Sequence, residues 1–503
     1  MGAQPGVSAA INGVRVKILY FYSDPIYLLE LPRLNTSETT ASMGCSIPTA
    51  MKCMACISLF LPGILLAQGG TPARLIPRSE HFDIRFSQVS RFEALEGQYR
   101  RANNGSSDQV FIYRSAIEGH YTHGTTMFSV ELLDARQALA DAGTPLTRRS
   151  VDAANLQQLY LTWRWPKAFG TSKVDLNVGR QALNFGSRRL ISRSTSNVPV
   201  SFTGAVANLQ REQGDKWTVF ALAPVLNYPI ARADIFDNRI ERDKESRGTR
   251  FTGVFVQMPE DQLAWRREYY AFHLHEEDAG GEEVADLDIS SAGMHLYSAE
   301  VLGKLDYDVE AVLQAGKSRA SSAPSDVRDL SHRAYFYHLA LGYSLDAPLA
   351  PHLQLLYDFA SGDKHPNDGE NNRFDTLFGA RRSEFGPSSL YGPFHRANLS
   401  TLGLRLSVNP SSALEMTFTL REFALASSRD EWGKSAWVDS SGQAGRDLGR
   451  HLETRMRWDA VPGNLMVDTG MVWLHAGDFP RQVSLGNTPS LTRYAYVQTS
   501  LSF

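Results

Sequence analysis

The residues best suited to chemistry in this 503-residue chain are arginines that recur among apolar neighbours at every second position. Arg405 sits between Leu404 and Leu406, Arg421 follows Phe418 and Leu420, and Arg455 and Arg457 interleave with Met456 and Trp458. Arg85, Arg164 and Arg267 occupy the same kind of position, while Arg188, Arg189 and Arg193 crowd a segment, 182–200, without an acidic residue. A guanidinium grips a carboxylate at two points through its planar fork, and its charge does not titrate away. A series of such groups forms a ladder along which an acidic polymer passes without being held tightly at any rung. The plainer expectation is a solvated wall, with the arginines paired to Asp306, Asp308, Glu310, Glu415 and Glu453 and each pair contributing little.

Other constellations are weaker. Asp363, Asp368 and Asp375, with Glu370 among them, are weak calcium candidates, because their spacing is not that of a calcium-binding loop and a solvated loop explains them better. His273 and His275 lack a third ligand in the sequence, so no metal centre is assigned. No nucleophile elbow appears, so neither an enzyme nor a cofactor is expected. A formal charge of -3 gives no reason to expect nucleic acid as a partner.

The elements that must position the arginines are strands. Leu305, Tyr307, Val309, Ala311 and Leu313 alternate with Asp306, Asp308 and Glu310, and Tyr335 through Leu345 repeats the period of two. About eighteen such segments follow one another, beginning at 82–91 and including 156–165 and 451–459, and short turns alternate with long loops between them. That is the pattern of an all-β, single transmembrane, antiparallel up-and-down barrel with short periplasmic turns and long extracellular loops. A sandwich has no reason to alternate its connections in this way. The last strand ends in the aromatic Phe503 on the apolar face. A barrel of this size is expected to enclose water, with inward arginines lining the path and the long loop 182–200 folding into the mouth as a constriction.

Residues 51–67 carry a cation at Lys52, an apolar run from Ile57 to Leu66 broken by Pro62, and a small residue at Ala67. This is the order of a secretory signal peptide. The run is too short to span a bilayer as a helix. All three cysteines, Cys45, Cys53 and Cys56, precede the expected cleavage site, so the exported part needs no disulfide. The expected organisation is a non-native or disordered extension over 1–50, a signal peptide over 51–67 and the barrel over 68–503.

Four segments carry a family resemblance: GRQALNFGSRRLISRSTSNVPVSFTGAVANLQ at 179–210, YDFASGDKHPNDGENNRFDTLFGARRSEFG at 357–386, LGRHLETRMRW at 448–458 and GMVWLHAGDFPRQ at 470–482. They resemble the alginate export family of eighteen-stranded outer-membrane barrels. The resemblance implies a monomeric channel with a cationic lumen that passes an anionic polysaccharide or a small anionic solute, surrounded by outer-membrane lipid and served by periplasmic export components. Thr203 and the pair Arg450-His451 depart from the residues usual there, which bears on substrate more than on fold. A general or solute-specific porin is the alternative, and an outer-membrane enzyme or adhesin a lower one. Sequencing the N-terminus of the exported protein should return Gln68 as its first residue; a start upstream of Met51 would contradict this reading.

Overall fold

The computed structural model describes residues 8–11, 14–21, 24–30 and 73–503, except 169–171, 194–195, 261–264, 279–284, 324, 367 and 381. The export segment expected at 51–67 lies outside the described residues. A first unit, residues 1–64, contains a small antiparallel sheet of Ser8–Ile11, Val14–Phe21 and Asp24–Glu30.

The second unit, from residue 65 on, is a closed barrel. Its long strands in chain order are β1 (Phe82–Glu96), β2 (Asp108–His123), β3 (Thr126–Ala138), β4 (Asp152–Ala168), β5 (Ser172–Gln181) and β6 (Phe202–Gln210). Next come β7 (Lys216–Leu226), β8 (Thr249–Met258), β9 (Arg266–Glu276), β10 (Asp288–Tyr297), β11 (Leu305–Ser318) and β12 (Leu330–Ser344). The last six are β13 (His352–Ala360), β14 (Leu399–Ser411), β15 (Leu414–Ala424), β16 (Asp447–Val461), β17 (Leu465–Ala476) and β18 (Leu491–Ser502). Each pairs antiparallel with its chain neighbour, and β18 closes on β1 from Arg493 opposite Glu96 to Ser502 opposite Ser87. The Phe86 and Phe503 backbones complete the seam with N–H to carbonyl bonds of 3.0 and 2.9 Å. Two short pieces, Lys244–Glu245 and Glu370–Asn371, add to β7 and β12 from the loops. Closure is what a membrane requires of a sheet, since hydrocarbon offers no partner to an unpaired N–H or C=O.

The outward face follows from the same alternation. Leu339, Leu341, Leu353, Leu355, Leu404 and Leu420 are all exposed on the barrel exterior. Aromatics gather toward the short-turn end at Trp163, Trp165, Trp265 and Trp458, as an interfacial girdle does. Among the described residues no helix is long and apolar enough to cross a membrane.

Several strands run further toward the long-loop end than the alternation predicts: β1 reaches Glu96, β4 starts at Asp152 and β16 at Asp447. The reason lies inside the barrel. Phe251, Phe272, Leu274, Ile289, Phe336 and Phe423 point inward and are buried. They pack against Leu190, Ile191, Phe374, Phe385, Leu390 and Phe394 from the two loops 182–201 and 361–398. The upper strands are thus apolar on both faces, and the period-two signal fades there. The wholly aqueous interior expected from barrel size is replaced at this end by a packed core, because these loops carry apolar side chains into the lumen. Leu339→Arg, in the middle of the outward face of β12, should cost about 2–4 kcal/mol of barrel stability in a denaturant titration in lipid vesicles. A neutral effect would mean that this face does not meet hydrocarbon.

Candidate functional site

The loops 182–201 and 361–398 meet backbone to backbone inside the barrel. Phe378 N–H donates to Leu190 C=O at 2.9 Å, Ser192 N–H to Phe378 C=O at 3.0 Å and Ala380 N–H to Arg188 C=O at 3.0 Å. Gly379 permits this approach, since a Cβ there would collide with the Arg189 carbonyl oxygen. Residues 361–398 therefore join the expected constriction loop 182–200 in narrowing the lumen.

Arg189 fixes the pair of loops to the wall. Its guanidinium contacts Asp308 at 3.1 Å and Glu310 at 2.8 Å, both on β11, and Glu384 of the second loop at 3.0 Å. Three carboxylates around one buried cation hold the Arg189 pKa well above its ordinary value, against the opposing effect of burial. Arg396, fully buried, also pairs with Glu384 and donates to the Arg189 carbonyl at 3.3 Å.

The wall side of this contact is a lateral row. Glu268, His295, Glu310, His338 and Asp358 stand directly opposite one another on β9 through β13. His295 bridges Glu268 at 2.8 Å and Asp308 at 2.9 Å, Tyr270 donates to Glu310 at 2.5 Å, and Asp358 takes His338 at 2.6 Å and Arg421 at 2.7 Å. Acid and base alternate, so each buried charge has a partner. Alternation along each strand puts these residues on the inward face but does not set the register that lines them up.

Apart from Arg267, the arginines singled out in the sequence are dispersed around the interior and mostly engaged. Arg85 pairs with Asp83 at 3.0 Å, Arg455 with Asp468 through two bonds of 2.9 and 2.6 Å, Arg457 with Glu415 at 3.4 Å, Arg193 with Glu131, and Arg421 with Asp358. Arg405 donates to Thr419 at 3.2 Å and Arg164 contacts the Met127 sulfur. Arg267, expected inward, lies at the short-turn end of β9 on the outward face, because Glu268, Tyr270 and Phe272 are the buried, inward residues of that strand. Arg188 is exposed and makes no ion pair among the described residues. Arg405, Arg421, Arg455 and Arg457 share one wall, β14 to β16, whereas Arg85 and Arg164 stand on β1 and β4. The acidic partners of Arg189 come from β11 and from the other loop rather than from an adjacent strand. The calcium candidates do not converge. Asp363 accepts from His365 N–H, Asp368 from Glu370 N–H and Asp375 from Leu377 N–H, each organising its own turn. Burial raises the Asp363 and Asp375 pKa values. His273 and His275 project outward toward Asp288.

Above the constriction, the loops enclose a cavity of about 420 Å³ at the long-loop end. Its charged and titratable lining residues are Arg100, Arg149, His395 and Lys434, and no carboxylate lines it among the described residues. Arg100 is oriented by bonds to the Leu390 and Tyr391 carbonyls at 2.9 and 2.6 Å. Arg149 differs: its Nη1 is buried and has no hydrogen-bond partner among the described residues. Burial, aided by nearby Arg148, pushes its pKa down to about 10, so it remains cationic at neutral pH without compensation. Sequence reasoning missed this group because it sits on loops, where no alternation assigns a side chain to one face; the acid-free stretch around 182–200 was the nearest signal.

A family model described as alginate export matches residues 82–488. Among solved structures the chain is similar to the outer membrane protein opdK from Pseudomonas aeruginosa, at 11% identity and a TM-score of 0.53, covering 84% of this chain and 98% of that one. It is similar to OccK5 (OpdH) from the same organism, at 11% identity, a TM-score of 0.52 and the same coverage. OccAB1 from Acinetobacter baumannii gives 12% identity, a TM-score of 0.51 and coverage of 84% and 96%. At these identities the likeness is one of fold. No curated protein matches the chain.

Arg189→Ala removes one cation from among three carboxylates, a loss of about 3–5 kcal/mol for a buried pair. The loops should come free of the wall, raising single-channel conductance and exposing 182–201 to protease. Unchanged conductance and protease resistance would show that other contacts dock them.

Proposed function

The chain belongs to the alginate export family, and from that premise we propose that it is a monomeric outer-membrane channel that passes an anionic, alginate-like polysaccharide or oligosaccharide. The observation that carries this reading is the cavity at the extracellular mouth, where Arg100, Arg149, His395 and Lys434 gather without a carboxylate. An uncompensated guanidinium such as Arg149 is unfavourable when alone and is relieved when an anion arrives. Cations grouped at a low-dielectric mouth also raise the local concentration of an incoming or departing polyanion.

Deeper in, the arginines act differently from the ladder read in the sequence. Arg189, Arg421 and Arg455 are tied to acids, so they shape the passage, and capture falls to the mouth. Arg188, exposed beside the constriction, is the remaining contact for a uronate carboxylate. A second reading, a channel for small anionic solutes, is favoured by the packed core that narrows the upper lumen.

The two readings part in planar bilayers. Oligouronates several sugars long should block ion current in a dose-dependent way, neutral dextran of equal size should not, and Arg149→Gln with Lys434→Gln should weaken the block about tenfold, near 1.4 kcal/mol. Block by monomeric uronate at the same sugar concentration would favour the small-solute channel. Equal block by dextran would remove charge from the account.

A further inference from the structure

The outer wall of the barrel is not smooth. Two adjoining recesses open on it near the extracellular end, sharing Leu313 and Ala315 of β11. The larger, about 480 Å³, is flanked by Tyr335, Phe359, Arg333 and Lys364. The other, about 360 Å³, extends past Ala292 and Ala271 on β10 and β9 to His273. These residues stand on the exterior by strand parity: inward-pointing Ala334 and Phe336 flank Tyr335 on β12, and inward-pointing Phe272 and Leu274 flank His273 on β9. Neither recess communicates with the constriction by any residue of the Arg189 cluster.

We propose that the paired recesses seat one acylated, phosphate-bearing lipid of the outer leaflet, its chains against Leu313, Ala315 and Phe359 and its phosphate between Arg333 and Lys364. Location selects a lipid, because the surface below the recesses is the exposed leucine band that meets hydrocarbon. Shape selects chains, because the small Ala271, Ala292 and Ser290 stand between the larger Val254 of β8 and Leu313 of β11, and an unfilled apolar hollow forfeits dispersion contacts on one side. Charge selects an anionic head. The Arg333 side chain is 72% exposed and its acidic neighbour Glu370 lies 3.7 Å away, near the outer limit of an ion pair. Lys364 is exposed and makes no ion pair among the described residues. Arginine and lysine at a membrane interface extend toward phosphates, arginine through two parallel bonds. The Tyr335 and Phe359 rings stack at 5.6 Å with an interplanar angle of 14°, forming a rigid aromatic shelf at the depth where amphipathic rings settle. His273 closes the far rim, held by Asp288 at 3.6 Å and Ser290 at 3.1 Å. The site is on the outside of the barrel and stands whether the lumen passes a polymer or a small solute.

The test uses the full-length barrel in detergent, incubated with lipid A or with its dephosphorylated form and read by native mass spectrometry. One molecule of the phosphorylated lipid should remain bound per barrel at activation energies that strip the dephosphorylated form. Arg333→Ala with Lys364→Ala should reduce retention about tenfold, and Ala315→Trp, which fills the shared floor, should reduce it as well. Gel mobility before and after heating shows that each variant is folded, which separates loss of the site from loss of the barrel. Equal retention of the two lipids would mean ordinary solvating lipid and would overturn the proposal. Retention unaffected by either variant, or a dimer that buries these residues, would overturn it too.

Discussion

Hydrocarbon cannot hydrogen-bond a peptide group, and the rest of this structure depends on that constraint. A sheet in the membrane must leave no edge, so β18 returns to β1 and the chain commits eighteen strands to one ring. Once the ring closes, alternate side chains are assigned without further choice. Half face lipid and must be apolar; the other half face inward and are free to be charged, aromatic or small. The modest hydrophobic content, 43%, is a consequence, because only one face of each strand is required to be apolar.

The inward half is where this barrel is particular. A ring of this size would hold water along its length, yet two loops enter from the extracellular end and meet the wall through both apolar packing and a chain of ion pairs. The apolar contacts fill space, whereas the charges fix position: Arg189 fits only where Asp308, Glu310 and Glu384 converge, and Gly379 allows the second loop to lie against it. Buried networks of this kind contribute less to net stability than to the choice of one arrangement, since desolvation offsets much of the attraction. They also leave Arg149, whose Nη1 has no hydrogen-bond partner among the described residues, at the mouth.

The architecture was legible because it is written in short-range patterns. Strand alternation, the lengths of the connections and the terminal Phe503 each report on one segment or its neighbour, and together they imply a closed barrel. Parity likewise placed Arg405, Arg421, Arg455 and Arg457 inward. Whether those arginines are available to a ligand was not legible, because it depends on partners such as Asp358 and Asp468, whose contacts come from register and from strands distant in sequence. The row from Glu268 to Asp358 is invisible for the same reason: a shift of one residue between two strands would scatter it. Upper strand ends were cut short where the loop-facing side became apolar as well, as at Leu95 of β1, which is buried in the interior core. Arg100, Arg149 and Lys434 at the mouth were missed because loops have no period.

On the proposed function, fixed cations at the mouth of a channel narrowed by docked loops set which ions pass. The reversal potential of the unmodified barrel in a planar bilayer under a potassium chloride gradient measures this directly. The account predicts a potential displaced toward the chloride equilibrium value and drawn back toward zero as ionic strength screens the mouth. A displacement toward the potassium equilibrium value, or none at low salt, would contradict it.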